Sequence, residues 1–517
     1  MGKSIFFFPL MLIIMLLCAC QRPQQQQPNI LFIFSDDHTS QAWGIYGGVL
    51  QDFVKNTNIK RLAAEGAVLE NAFCTNSICV PSRGSVLTGQ YSHRNGILTL
   101  ADVMHPDSNN IAKVLKTNGY QTALIGKWHL KKQPSGFDHF MVFPDQGVYH
   151  NPVLKTIDNW EDGYAGGKRY EGFSTDLVTD FSLEWIKGRD AAKPFFLMTQ
   201  FKATHEPFEY PERHAGLYEE IELPMPASLF EFGPAKSGRT FQGQPLENMY
   251  KRWMEYQARP GEFWTSYPGM PFTAEGLDSV EARKKIYQKF IKDFLRCGAA
   301  IDDNIGRLLD YLQESGLAEN TVVIYTADQG YFLGEHGFFD KRLFYEESLR
   351  MPFVIRYPKE IKSGVRIDDI ILNIDFPALF ADYAGIEKPD FIQGESFRDN
   401  LKGNTPKDWR TAMYYRYWMH EEKRPGHFGI RNDRYKLIFF YGQPLHANGA
   451  EKTTTQPAWE FYDLKKDPQE LHNAYNDTDY SHIISEMKTT LLKLREKYGD
   501  TDTGSEIMQK IFENYWD

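Results

Sequence analysis

Short apolar runs alternate with amphipathic helices along most of this chain, and this alternation is the strongest constraint on its fold. Residues 29–34 form a near-continuous apolar run, which is typical of a central strand buried on both faces. Helices are predicted at 58–65 and from about 282 to 314. Further strands are predicted at 122–125, 195–199, 322–326 and 353–356. The pattern favours an α/β fold with helices on both faces of a sheet.

Polar side chains follow four of these predicted strands at the point where each apolar run stops. They are Asp36, Asp37 and His38 after the first strand, Lys127 and His129 after the second, His205 after the third, and Asp328 and Gln329 after the fourth. Ligand sites in such sheets lie at the carboxyl ends of the strands. We therefore expect these groups to form one constellation.

Four of these residues are candidate metal ligands. Asp36, Asp37, Asp328 and Gln329 offer three carboxylates and an amide oxygen, which are the hard ligands that calcium takes. Magnesium is the less favoured occupant, and the thiolate and imidazole spacings of zinc sites are absent from the group. Adjacent acids after a strand also serve as helix caps or solvated loop residues, so the pair at 36 and 37 alone leaves both interpretations open.

The segment CVPSR at 79–83 places a thiol and a guanidinium four residues apart where a helix is predicted to begin. One helical turn would bring Arg83 beside Cys79, and Pro81 suits a first helical position. The amides of that first turn favour an anion near Cys79. The segment predicts an oxyanion pocket, and its alternative is a buried cysteine next to a structural arginine.

Extended by GSVLTG, this segment resembles the signature of the type I sulfatases. In that family a maturation enzyme oxidises the cysteine to formylglycine, and the hydrate of this aldehyde attacks sulfur. The resemblance implies that Cys79 is only the precursor of the nucleophile. It also implies an alkaline-phosphatase-like sandwich with a large mixed, mostly parallel sheet and a small C-terminal α+β domain with an antiparallel sheet.

Three further segments resemble the same family in the same order: GKWH at 126–129, ATHEP at 203–207 and GFFDK at 337–341. The catalytic residues implied by the resemblance are Cys79, Arg83, Lys127, His129, His205 and Lys341. The family's calcium site implies Asp36, Asp37, Asp328, Gln329 and the modified Cys79 as metal ligands. Gln329 departs from the commoner asparagine or histidine, which puts its direct ligation in doubt.

The chemistry of a sulfate monoester suggests a role for each group. Arg83, Lys127 and Lys341 would hold the sulfate oxygens as negative charge develops. His205, together with Lys341, would protonate the leaving oxygen, and Asp328 would assist the nucleophile as a base. His129 would remove a proton so that sulfate is released. The roles of His129 and His205 are those that the resemblance implies, and they could be exchanged.

The segments around the site look most like bacterial N-acetylglucosamine-6-sulfatases, which act on glycosaminoglycan fragments. The resemblance therefore implies a sulfated oligosaccharide substrate and exo-acting removal of a 6-O-sulfate. His427 and Arg431 could reach the pocket rim and contact a sugar, or they could lie on the surface. The alternatives are another sugar sulfatase such as a uronate 2-O-sulfatase, a phosphatase or phosphonate monoester hydrolase of the same superfamily, and a non-catalytic glycan-binding lipoprotein.

The N-terminus predicts export. An apolar stretch at 5–17 follows Lys3 and ends at Leu-Cys-Ala-Cys, which resembles a bacterial lipobox with Cys20 as the lipidated residue. Residues 1–19 are thus predicted as a lipoprotein signal peptide and 20–28 as a polar tether. The expected location is periplasmic or on the outer membrane, with membrane contact only through the lipid anchor. A plain cleaved signal is the alternative.

Composition limits the remaining choices. The 517 residues are 42% hydrophobic, enough for one large domain and a smaller one, which we place at 29–385 and 386–517. Cys74, Cys79 and Cys297 are too few for a disulfide framework, although Cys74 and Cys297 could pair. The net charge of -10 argues against a nucleic-acid partner.

Overall fold

The computed structural model describes residue 2 and residues 27–233, 238–241, 243–261 and 267–517. Most of the predicted signal peptide, the predicted lipidation site Cys20 and most of the tether lie outside these residues. The strands are β1 (Asn29–Asp36), β2 (Ala67–Leu69), β3 (Ala72–Phe73), β4 (Gln121–Lys127), β5 (His139–Phe143), β6 (Val153–Leu154), β7 (Lys168–Arg169), β8 (Phe195–Thr204), β9 (Thr321–Ala327), β10 (Phe353–Arg356), β11 (Val365–Ile367), β12 (Ile371–Leu372), β13 (Ala412–Tyr417), β14 (His427–Asn432), β15 (Tyr435–Phe440) and β16 (Ala458–Asp463). The α-helices are α1 (Thr57–Ala64), α2 (Cys79–Thr88), α3 (Ser92–Asn95), α4 (Ile111–Thr117), α5 (Ser174–Gly188), α6 (Leu246–Ala258), α7 (Ser279–Glu314), α8 (Glu346–Leu349), α9 (Phe376–Tyr383), α10 (Arg398–Leu401), α11 (Ser481–Tyr498) and α12 (Glu506–Tyr515).

The largest sheet has eight strands in the order β11-β2-β10-β9-β1-β8-β4-β5. β10 pairs antiparallel with both of its neighbours, whereas all the other neighbouring strands pair in parallel. The predicted mixed, mostly parallel sheet is therefore confirmed. Each of the five strands predicted from apolar runs is present, and β8 extends five residues beyond its predicted end.

Helices cover both faces of this sheet. Successive side chains of a strand point to opposite faces, so neighbouring residues of β1 contact different helices. Phe32 of β1 packs against Phe376 and Phe380 of α9, at ring-centroid distances of 6.2 and 5.3 Å. Its neighbour Leu31 belongs to a second apolar cluster that includes Ile301 of α7. Both β1 side chains are fully buried, as the near-continuous apolar run predicts.

A second, smaller sheet has four antiparallel strands in the order β13-β14-β15-β16. Its apolar side chains and those of α11 belong to the same core cluster as one face of the large sheet. At their junction, Tyr415 of β13 stacks on Phe344 with a centroid distance of 4.6 Å. The small antiparallel sheet is thus confirmed, and the boundary near residues 385 and 386 stays a prediction.

Residues 371–385 contain a short strand followed by a helix. Residues Ile371–Leu372 pair with β3 as a strand, and α9 begins at Phe376. The Asp375 carboxylate accepts a hydrogen bond from the Leu372 amide at 2.7 Å, which fixes a turn between strand and helix. Pro377, in the first turn of α9, suits the start of a helix rather than its interior.

Among the helices of the described residues, none has both the length and the apolar character needed to cross a membrane.

Candidate active site

The four strands whose ends carry the predicted site residues are neighbours in the large sheet, in the order β9-β1-β8-β4. All four pair in parallel, so their carboxyl ends lie at one edge. This arrangement brings Asp328, Asp36, His205 and Lys127 to the same place. Fold topology thus turns four polar segments that are distant in sequence into one cluster.

Helix α2 delivers Cys79 and Arg83 to this edge. Cys79 is the first residue of the helix, and every residue of α2 is buried. The Cys79 sulfur, a carboxylate oxygen of Asp36 and a ring nitrogen of His205 all lie within 4.8 Å of one another. The small sheet supports this helix start, because the Tyr415 hydroxyl oxygen accepts a hydrogen bond from the Ser77 amide at 3.2 Å.

Arg83 is anchored to the cluster through all three guanidinium nitrogens. Its Nε atom donates to Asp328 at 3.1 Å, and its terminal nitrogens donate to Gln200 at 2.6 Å and to Asp36 at 3.3 Å. Burial disfavours the charged guanidinium, but Asp328 and Asp36 outweigh that effect and raise the pKa of Arg83. The side chain is therefore a fixed positive charge at the bottom of the site.

Three carboxylates converge beside Cys79. One oxygen each of Asp36, Asp37 and Asp328 lies within 4.8 Å of the other two, and all three side chains are buried. Burial and the neighbouring Asp36 raise the pKa of Asp328 well above its usual value. Burial opposes ionisation of Asp36 as well, but Lys127, His205 and Arg83 hold its pKa well below the usual range.

Gln329 completes this set of oxygen donors. Its Nε2 atom donates to Asp37 Oδ1, whereas its buried Oε1 atom has no hydrogen-bond partner among the described residues. A buried amide oxygen without a partner is costly, and a bound cation would satisfy it. Three carboxylates and this amide oxygen fit a hard divalent cation.

Two lysines flank the carboxylates. Lys341 Nζ donates to both oxygens of Asp37, at 2.6 and 2.5 Å, and Lys127 Nζ donates to Asp36. Burial raises the pKa of Asp37 to about 6, although Lys341 opposes this shift. Together with Arg83, the lysines place three cations around the pocket beside Cys79.

The two histidines lie in different surroundings. His205 Nδ1 is 2.8 Å from the Glu206 carbonyl oxygen, and its Nε2 is 3.8 Å from Asp37. Burial, reinforced by Lys127, holds the pKa of His205 well below its usual value. Burial also lowers the pKa of His129 to about 4, even though the carboxylate of Asp145 opposes that shift.

A cavity of about 490 Å³ opens next to this cluster. Its lining includes His205, Lys202, Gln146 and Asp145, which are buried or half-buried, and Tyr164 and Arg169, which are exposed. Its volume lies in the range of about 300–1,000 Å³ that is usual for ligand pockets. Cys79 is almost fully buried and does not line the cavity. His205 is the residue shared by the cavity and the cluster around Cys79.

The amino-acid sequence matches the sulfatase family model over residues 28–386. The chain belongs to the sulfatase family. A second model, described as the C-terminal part of N-sulphoglucosamine sulphohydrolase, matches residues 334–497 of this sulfatase. The predicted family, the alkaline-phosphatase-like fold and the enzyme class of sulfuric ester hydrolases are thereby confirmed.

Relatives of this sulfatase include enzymes that act on sugars. It is 37% identical to an N-acetylglucosamine-6-O-sulfatase of Bacteroides thetaiotaomicron, over 94% of this chain and 90% of the relative. A solved structure in complex with its substrate D-glucosamine-2-N,6-O-disulfate superimposes with a TM-score of 0.82 and 35% identity, covering 93% of this chain and 100% of the other. A phosphonate monoester hydrolase from Silicibacter pomeroyi shares the fold, with a TM-score of 0.68 and 21% identity. The match covers 92% of this chain and 97% of the hydrolase.

The structure does not bring His427 or Arg431 of this sulfatase to the cavity. His427 is fully buried in the small sheet, with its ring 4.9 Å from that of Phe440. Arg431 pairs with Glu346 at 3.2 Å and borders a separate surface cavity. The expectation that these residues contact a sugar came from their polarity, but burial and ion pairing already engage them.

Cys74 and Cys297 are not paired. Both are free, buried thiols, and they belong to different apolar clusters.

Sequence reasoning missed several residues that the structure places in the site. Asp145 lies 3.3 Å from His129, and Gln146 accepts from Lys127 Nζ at 2.5 Å. Both follow β5, a strand that was not predicted. Gln200 lies within β8, where polar residues such as Gln200 and Lys202 interrupt the apolar run, and this interruption is a sequence signal that could have revealed it.

Proposed function

We propose that this sulfatase removes the 6-O-sulfate from terminal N-acetylglucosamine units of glycosaminoglycan fragments. The observation that carries this proposal is the 37% identity to an N-acetylglucosamine-6-O-sulfatase over nearly the whole length of both chains. The 0.82 TM-score to a structure whose substrate is a 6-O-sulfated glucosamine supports the same substrate class. The sugar alkoxide is a poor leaving group unless it is protonated, so the site needs an acid. It also needs a nucleophile and cations that stabilise negative charge on the sulfate oxygens.

The attacking oxygen would come from residue 79 after a maturation enzyme has oxidised Cys79 to formylglycine. Burial raises the pKa of the Cys79 thiol well above its usual value, although Lys341 opposes this shift. The unmodified side chain would therefore be a neutral thiol, which is a weak nucleophile. Its place at the start of α2, beside Arg83, suits an oxygen nucleophile in front of an anionic sulfate.

Calcium is the metal that we propose for the carboxylate cluster. Asp36, Asp37, Asp328 and the amide oxygen of Gln329 would hold it beside residue 79, which would provide a further ligand. A divalent cation in such a site acidifies a bound hydroxyl and neutralises negative charge. Asp328, whose pKa burial raises, would be able to accept a proton there.

The three cations would bind the sulfate oxygens. Arg83, Lys127 and Lys341 are buried and converge on the carboxylates beside residue 79. Fixed donors of this kind stabilise charge that develops in the transition state without reorganising, and one such donor is typically worth about 100- to 1,000-fold in rate.

The two histidines would move protons. His129 is neutral at pH 7, because burial lowers its pKa to about 4, and it would accept a proton from residue 79 to release sulfate. His205 lies within 4.8 Å of Cys79 and on the cavity wall, where it would protonate the leaving sugar oxygen. It must bind a proton first, and an anionic ester beside it favours that form.

The nucleophile can be tested by coexpressing the protein with a formylglycine-generating enzyme and measuring the mass of the peptide that contains residue 79. We expect aldehyde at position 79 and no sulfate release by Cys79→Ala. Cys74→Ala is the matched control, since it removes another buried thiol and should retain both aldehyde and activity. Full activity with an unmodified thiol at position 79 would refute this nucleophile.

The substrate can be tested with three esters: 6-sulfated N-acetylglucosamine, 2-sulfated uronic acid and a phosphate monoester. We expect kcat/KM for the first to exceed the other two by at least about 100-fold, because the site discriminates by transition-state contacts. Activity confined to the uronate ester would indicate another sugar sulfatase. Activity confined to the phosphate ester would indicate a phosphatase.

We also propose that the protein is exported as a lipoprotein through lipidation of Cys20. The support is the LCAC segment that follows the apolar stretch at 5–17. Cys20→Ala should move the protein from the membrane fraction to the soluble fraction, whereas Cys74→Ala should leave it in place. Membrane association that survives Cys20→Ala would contradict a lipid anchor.

A further inference from the structure

Lys202 is a buried lysine that the proposed chemistry does not use. It lies near the end of β8, is 3% exposed, and lines the cavity together with His205. Its Nζ atom is 3.5 Å from the Glu206 carbonyl oxygen and 5.0 Å from the centre of the Tyr149 ring. Among the described residues no carboxylate forms an ion pair with it. Lys202 is thus a cation in the cavity wall whose direct contacts are neutral, and the carboxylates of Asp36 and Glu209 act on its charge without forming an ion pair.

Such an ammonium group is expensive to bury, because neutral contacts replace only part of its hydration. Burial, followed by repulsion from Lys127, lowers the pKa of Lys202 to about 8. An anion bound in the cavity would compensate for the lost hydration and would favour the charged form.

The acidic groups of the cavity wall are already engaged elsewhere. Asp145 accepts hydrogen bonds from Tyr164 and pairs with His129. Glu206 accepts hydrogen bonds from Arg252 and Tyr267. Arg252 neutralises Glu206, and Lys202 and Arg169 outnumber Asp145 among the remaining charged groups of the wall, so the net charge that faces a ligand is positive.

We propose that Lys202 forms a subsite for a second sulfate group, which the cleaved sugar carries on its nitrogen when that sugar is N-sulfated instead of N-acetylated. This inference rests on the proposed function, because it is His205, close to Cys79, that connects the cavity to the reacting ester. The sugar ring would lie in the 490 Å³ cavity with its 6-O-sulfate towards residue 79 and its 2-N-sulfate towards Lys202. Lys202 is a specificity-determining residue in this arrangement.

The test compares two sugars in calorimetric binding to the inactive Cys79→Ala protein: glucosamine-2-N,6-O-disulfate and N-acetylglucosamine-6-O-sulfate. Adding Lys202→Met removes the charge but keeps most of the side-chain volume. We expect about 10-fold or more weaker binding of the disulfate and less than about 2-fold change for the monosulfate, since a charge-assisted hydrogen bond is lost. Lys202→Arg should retain the preference for the disulfate, and Lys193→Met, at an exposed lysine before β8, should change neither affinity.

Equal weakening of both sugars would mean that Lys202 only supports the cavity wall, and this result would overturn the proposal. An unchanged preference in Lys202→Met would overturn it too, as would failure of the disulfate to bind the parent protein. If Lys202→Met does not fold, the salt dependence of binding to the Cys79→Ala protein is the test. Its preference for the disulfate should diminish as salt concentration rises, and a salt-independent preference would contradict the subsite.

Failure of the proposed function has a different signature. In that case the mature enzyme would release no sulfate from either sugar, while the binding comparison would still report on Lys202.

Discussion

The Nε2 atom of His129 lies 3.3 Å from Oδ1 of Asp145, and the hydroxyl of Tyr164 donates to the other oxygen of the same carboxylate. His129 is buried, whereas Tyr164 is largely exposed at the cavity. The carboxylate of Asp145 therefore connects the proposed proton acceptor to the substrate cavity. It holds the imidazole in one orientation and stabilises its protonated form.

Asp145→Asn should lower kcat by about 10- to 100-fold, because it removes the charge that orients His129. Asp145 raises the pKa of His129, so the variant should have a lower His129 pKa. If His129 must be neutral to act, the acidic limb of the kcat–pH profile should move to lower pH.

Asp162→Asn is the control for this experiment. Asp162 precedes Tyr164 by two residues, pairs with Lys132 and has no contact with His129. It should keep the wild-type kcat and pH profile. An Asp145→Asn enzyme with the same profile as Asp162→Asn would show that the His129 contact has no catalytic role.

Gln329→Leu should weaken Ca²⁺ binding by about 10-fold or more, since the variant loses the buried amide oxygen that has no protein partner. The measurement is the Ca²⁺ concentration that restores half-maximal activity after treatment with EGTA. Gln509→Leu, at an exposed glutamine of α12, should match the wild type. An unchanged Ca²⁺ requirement in Gln329→Leu would exclude Gln329 as a ligand.

Arg83→Lys should lower kcat by about 100- to 1,000-fold even though the charge is kept. The guanidinium contacts Asp328, Gln200 and Asp36 with three different nitrogens, and a single ammonium group cannot reproduce that geometry. Aldehyde content should be measured by mass spectrometry in parallel, so that loss of maturation is separated from loss of catalysis. Arg94→Lys, an exposed arginine in α3, serves as the control. Near-normal kcat per aldehyde in Arg83→Lys would argue against a sulfate-binding role.

His427→Phe should make stability less dependent on pH. Burial lowers the pKa of His427 to about 4, below the value of about 6.5 expected in the unfolded chain. The unfolded state therefore binds a proton first, so the contribution of His427 to stability is complete above pH 6.5 and is lost as the pH falls towards 4. Between pH 7.5 and 5 this loss amounts to about 2 kcal/mol.

Urea unfolding at the two pH values measures this difference. The decrease in unfolding free energy between pH 7.5 and 5 should be about 2 kcal/mol smaller in His427→Phe than in the wild type. His482→Phe, at an exposed histidine of α11, should leave the decrease unchanged. Equal decreases in the wild type and His427→Phe would show that folding does not lower the pKa of His427.

Most of the large sheet could be predicted because burial on both faces demands continuous apolar runs. The site residues at the ends of those runs could be found for the same reason, since parallel topology places the ends of β9, β1, β8 and β4 side by side. The signature at 79–83 located the helix start, because Pro81 in the first turn is a local signal.

The residues that escaped prediction depend on long-range contacts. Asp145 reaches His129 only because β5 is the edge strand next to β4. Lys202 looks like an ordinary polar residue in the sequence, and only the fold shows that it is buried at a cavity. His427 shows the opposite error, because a histidine in a C-terminal segment looked available for a ligand but is enclosed by aromatic rings.

The hydroxyl of Tyr415, in the small sheet, holds the backbone just ahead of residue 79, and the same ring stacks on Phe344. The C-terminal part of the chain therefore supports the backbone next to residue 79 and is not an exchangeable attachment. A substitution on one side of this junction is expected to require a compensating substitution on the other side. The two sheets are therefore expected to diverge together and to be inherited as a unit.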